Sequence, residues 1–93
     1  MNEMSLNEQI QRLKEMKSYL ENFSQEMIEV MEYFQEQIIN LKKQGLSIET
    51  ADTYLQCYYT PADSSIEQIV NDIRNRHIGY INRVIELLEK INR

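Results

Sequence analysis

Apolar residues recur every seven positions through the first half of the chain: Leu6, Leu13, Leu20, Met27, Phe34 and Leu41. A helix turns once per 3.6 residues, so a seven-residue step returns each of these side chains to nearly the same face. Ile10, Met31 and Ile38 occupy the alternate positions of the same seam, with Lys17 and Ser24 as polar breaks. The pattern predicts one long helix, from about residue 6 to 44, packed lengthwise on another helix. Ser5 is placed to cap it, with Glu8 three residues on. Gly45 follows Lys42 and Lys43 as a stop signal.

A second, short helix is expected over about 48–58. Ser47 is its cap, and Ala51, Leu55 and Tyr58 share one face at i, i+4 and i+7. Pro61 reads as a break in the chain. A third helix is expected over about 65–91, opened by Ser64 and Glu67 at capping-box spacing. Its seam reads Ile66, Val70, Ile73, His77, Tyr80, Val84, Leu87 and Ile91, in alternating steps of four and three. Ile69, Ile81, Ile85 and Leu88 widen it. Stripes this broad face two neighbours rather than one.

The expected fold is therefore all-α: a long antiparallel helical hairpin with a short connecting helix. It is three-helix bundle-like and completed by oligomerisation, in a single domain over residues 1–93. Breaking the chain at Pro61 makes the third helix shorter than the first, which leaves Leu6, Ile10 and Leu13 overhanging with an unpaired apolar seam. Exposed stripes of that kind mark partner surfaces. A block of acidic residues (Glu26, Glu29, Glu32, Glu36) and a block of basic ones (Arg74, Arg76, Arg83) fall side by side in such a hairpin.

Composition narrows the function classes. The chain has 93 residues, 42% hydrophobic and 27% charged, with a formal net charge of −5. So small a core is marginal alone, and association is a common remedy. The acidic balance disfavours nucleic acid, which demands a basic footprint. No apolar run approaches the ~18 residues of a membrane span, and no signal peptide is visible. A cytoplasmic location is expected, and leaderless export is compatible with the same features. One cysteine, Cys57, allows no intramolecular disulfide and reads as a small buried thiol.

No arrangement points to chemistry. His77, the only histidine, falls on the apolar seam beside Arg74 and Arg76, without a ligand pattern around it, and reads as a seam or interface residue whose burial disfavours the imidazolium. The glutamates of the first helix lack the Glu-x-x-His pairing of carboxylate metal sites. Catalytic residues, cofactors and metals are accordingly not expected, and the chain reads as a non-enzyme. Tyr54, Tyr58 and Tyr59 cluster before Pro61, as tyrosines do at interfaces and at the ends of bundles. With Tyr80 and His77 they join Leu6, Ile10 and Leu13 as interface candidates.

Tyr59-Thr60-Pro61-Ala62-Asp63 matches a Tyr-x-x-x-Asp pattern. In this motif, in length and in hairpin character the chain resembles the small helical substrates of the type VII secretion system. There a similar motif follows the second long helix. The resemblance implies a secretion-linked hairpin protein. The chain has no tryptophan, so the family's Trp-x-Gly turn is absent, and its Tyr-x-x-x-Asp precedes the last helix. The main functional expectation is a helical protein–protein interaction module: an adaptor, a chaperone-like partner or a small regulator, acting as a homo-oligomer or with a helical hetero-partner. The type VII-like reading is one alternative. A DNA-associated regulator using Arg74 and Arg76 beyond a turn at Gly45 is another.

Overall fold

A computed structural model describes residues 4–92. Helix α1 spans Leu6–Lys43. The Ser5 hydroxyl accepts the Glu8 N–H at 3.2 Å, which satisfies one of the free donors of its first turn. The helix ends in a Schellman motif: the Leu46 N–H donates to the Leu41 carbonyl (2.9 Å) and the Gly45 N–H to the Lys42 carbonyl (3.2 Å). Gly45 sits there at φ +110°, a conformation that favours glycine. Ser47 then opens the return, its hydroxyl accepting the Thr50 N–H at 3.1 Å.

The return is one uninterrupted helical run, not two helices. It consists of α2 (Ile48–Tyr54), a π-helical turn (Leu55–Tyr59), α3 (Thr60–Asp72), a second π-helical turn (Ile73–His77) and α4 (Ile78–Ile91). No strand occurs among the described residues. The break expected at Pro61 is absent, and Ser64 lies inside α3 rather than capping a new helix. In a regular helix, proline removes one hydrogen bond and its ring crowds the carbonyl four residues back, here that of Cys57. That residue lies in the first π turn, where the Thr60 N–H reaches back five residues to the Leu55 carbonyl. The widened turn makes the room the ring requires. Cys57 itself is exposed, not buried.

The described chain divides into two compact units, one of residues 1–24 with 71–93, the other of residues 25–70. In the first, α1 and α4 run antiparallel. The Asn92 amide donates to the Asn7 side-chain oxygen at 2.8 Å, and Lys14 pairs with Glu89 at 3.7 Å. Its core is Ile10, Ile81 and Ile85, with Leu13, Leu20 and Leu88 packed against it. The expected overhang of Leu6, Ile10 and Leu13 therefore does not exist. Without a break at Pro61 the return run reaches Asn92, and Ile10 is buried while Leu6 and Leu13 are half-buried. In the second unit, Met31 and Ile38 of α1 and Ala51 and Val70 of the return are the buried apolar positions.

Along α1 the deepest row is Ile10, Ser24, Met31 and Ile38, with Lys17 half-buried at the same spacing. The row led by leucine flanks it, and at Phe34 and Leu41 it is exposed. Ser24, a polar break in the sequence pattern, is fully buried. Its hydroxyl donates to the Leu20 carbonyl at 2.9 Å, so no polar atom is left unpaired.

Both π turns move the inward face of the return by one residue. In the unit of residues 25–70, the face runs through Ala51, Leu55, Tyr59, Asp63, Ile66 and Val70, so Tyr59 replaces Tyr58 as the inward tyrosine. In the other unit, Ile73 is followed at a step of five by Ile78, then Ile81, Ile85 and Leu88. The sequence pattern puts His77, Tyr80, Val84 and Leu87 there instead. A π turn admits one extra residue, and the Ile78 N–H accordingly bonds the Ile73 carbonyl. The poorer hydrogen-bond geometry of that turn is offset by burial of Ile78, Ile81 and Ile85, each worth about 1.5–3 kcal/mol, with the half-buried Leu88 beside them. The unshifted register would have buried an imidazole and a phenol instead, at a desolvation cost.

Candidate interaction surface

The one-residue shift leaves α4 with two adjacent apolar rows. The first, Ile78, Ile81, Ile85 and Leu88, is spent on the core. The second is Tyr80, Val84, Leu87 and Ile91, spaced four, three and four apart. Tyr80, Leu87 and Ile91 are 69%, 58% and 67% exposed. Between this row and α1 lies an open groove of about 540 Å³. Its walls are Leu13, Met16 and Leu20 on one side, and His77, Tyr80, Ile81 and Val84 with Arg76 on the other. Arg76 and Tyr80 also line a second, smaller depression of about 270 Å³, together with Arg83, at i, i+4 and i+7, and with Asn75 and Gly79.

His77 is exposed, so the buried seam histidine expected from the sequence is not found. Its Nε2 lies 3.4 Å from one Asp72 carboxylate oxygen, and Arg76 donates to the other at 3.0 Å. Asp72 thus holds two basic side chains of the following turn at the end of the groove. All three groups are well solvated, and such contacts contribute under about 1 kcal/mol each.

The tyrosine cluster is split by its π turn. Tyr54 and Tyr58 are exposed and face each other at 5.7 Å, tilted by 42°. Tyr59 is half-buried, its ring stacked on Phe34 at 5.8 Å and 3°. The Tyr-x-x-x-Asp pair therefore lies inside a continuous helix, with Tyr59 and Asp63 both half-buried on the inward face. Desolvation pushes the Tyr59 phenol above its ordinary value, and the carboxylates of Asp63 and Glu32 act in the same direction.

A folded-state value above the unfolded one means that the folded protein holds this proton more tightly. Its contribution to stability is complete below the unfolded value of about 10 and is lost as pH rises through the folded one. The expected result is a thermal midpoint that falls more steeply above pH 10 in the wild type than in Tyr59→Phe, which keeps the ring stack. Parallel profiles for the two proteins would exclude the effect.

Of the expected interface residues, then, Leu13, His77 and Tyr80 meet at one groove, and Ile10 lies in the core beneath it. Leu6 is half-buried elsewhere on α1. Tyr54, Tyr58 and Tyr59 belong to the other unit. Met16 and the half-buried Leu20 and Val84 also line the groove, and Leu87 and Ile91 lie exposed beside it, whereas the sequence pattern places Leu20, Val84, Leu87 and Ile91 in packed seams. The sequence does carry a signal for the second row of α4, because Ile81, Ile85 and Leu88 are each directly preceded by a second apolar residue, Tyr80, Val84 and Leu87.

Among the described residues, no three His, Cys, Asp or Glu side chains come together to hold a metal ion. No described helix is long and apolar enough to cross a membrane. The chain matches no family model, no curated protein and no solved structure.

Proposed function

We propose that this chain is a non-enzymatic helical protein–protein interaction module. The observation that carries the reading is the second apolar row of α4, exposed beside a groove whose other wall, on α1, is also apolar. A helix pair buries one stripe from each member. A second stripe at regular three-and-four spacing is the complement of another helix, recognised through i, i+3, i+4 and i+7 anchors. Scattered single apolar residues are ordinary on any surface, but a contiguous row bordered by charged side chains marks a docking site. The DNA-associated alternative draws less support, since Arg76 is engaged by Asp72 of its own helix.

A photoreactive leucine analogue at position 87 tests the reading in cells of the source organism. Crosslinking to protein is expected from position 87 and not from Ser18 on the polar side of α1. Failure of position 87 to crosslink to any protein overturns the reading.

A further inference from the structure

Resting on that reading, we infer that the occupant of the groove is a second copy of this chain, docked antiparallel, so that the unit of residues 1–24 and 71–93 in one copy meets the unit of residues 25–70 in the other. Charge selects both the occupant and the direction. The first unit carries eight basic and seven acidic residues. The second carries two basic and eight acidic. Residues 25–70 therefore carry a formal charge of −6 against +1 for the other unit, and a parallel pair would set two strongly acidic units against each other. Like charges so placed oppose association, whereas the antiparallel pair sets each acidic unit against a slightly basic one.

The rims match in detail. Arg76 in the second π turn and Tyr80 and Arg83 on α4 alternate basic, aromatic and basic along one face beside the groove, all exposed. On α1, within residues 25–70, Glu26, Val30 and Tyr33 repeat the same i, i+4, i+7 spacing with an acidic residue and two exposed apolar ones. Glu29 and Glu36 continue the acidic border at a separation of seven, equal to that of the two arginines. Val30 and Tyr33 supply the apolar anchors that the groove lacks, and the glutamates supply carboxylates for the guanidinium of Arg83, while Arg76 keeps its ion pair with Asp72. The contact is isologous, so every pair forms twice and one substitution is felt twice.

The test is mass in solution for the full chain at tens of micromolar, by light scattering, with circular dichroism to monitor folding. A dimer is expected for the wild type. Tyr80→Glu and Leu87→Glu should keep their helix content and weaken dimerisation by on the order of a hundredfold, because each places an unpaired charge in an apolar contact. Arg83→Glu should weaken it about tenfold at low salt, and adding Glu29→Arg should restore it by exchanging the signs. A wild-type monomer overturns the inference, as does a dimer indifferent to Tyr80→Glu and Leu87→Glu. Failure of the charge exchange to restore association overturns the antiparallel arrangement. Should position 87 crosslink in cells only to a different protein, the second copy is excluded while the interaction reading stands.

Discussion

Deleting Asn82 is expected to unfold the unit formed by residues 1–24 and 71–93, while deleting Asn75, only seven residues earlier, leaves it folded. Asn82 lies in the regular part of α4, between core residues Ile81 and Ile85. Its removal advances everything beyond it by one position and brings Glu86 and Glu89 to the places of Ile85 and Leu88. Two carboxylates would then face an aliphatic core, at several kcal/mol each, against a total stability of about 5–15 kcal/mol for a domain. Asn75 lies in the π turn Ile73–His77, which already contains one residue more than a regular helix holds. Its removal lets the turn close to ordinary α geometry, with Ile78, Ile81, Ile85 and Leu88 still pointing inward. The deletion should be neutral or raise the thermal midpoint. Circular dichroism melts of the two deletions decide the matter, and loss of folding in both would show that the π turn does not set the register.

The second large effect separates the two apolar rows of α4. Ile85→Ala empties a buried position against Ile10 and Ile81 and should cost about 2–5 kcal/mol. Leu87→Ala, two residues on and more than half exposed, should change the stability of the isolated chain by no more than about 0.5 kcal/mol. Denaturant midpoints at a concentration low enough to suppress self-association give the comparison. Equal shifts would mean that both rows are buried. The unshifted register read from the sequence makes the opposite prediction, with Leu87 costly and Ile85 cheaper.

These contrasts show where the sequence is legible. The helix over 6–44 and its Ser5 and Gly45 boundaries are readable because caps are local chemistry, decided by a hydroxyl, a carbonyl and a permitted φ. The all-helical class is readable because apolar periodicity sums over many residues. Phase is not readable. Pro61 reads as a break because its cost in a regular helix is about 3 kcal/mol. A single widened turn avoids most of that cost, and nothing in the residues Leu55–Tyr59 marks such a turn. The same holds for Ile73–His77, where the sequence offers two apolar rows one residue apart and either continues the pattern. Choosing between them requires the energy of the finished core. That choice decides which residues form the candidate surface: His77 leaves the seam, while Leu87 and Ile91 stay out of a core that the sequence pattern assigns to them.

The widened turns also bear on how related chains would diverge. A helical pair normally resists gain or loss of a single residue, since every contact downstream is rotated by about 100°. This chain holds two places, at Leu55–Tyr59 and Ile73–His77, where a one-residue change in length can be absorbed without rotating the helix beyond it. Descendants of a common ancestor should therefore differ in length at these two points before any other helical position. Alignments that forbid gaps inside helices would then compare core residues of one with surface residues of the other from that point onward.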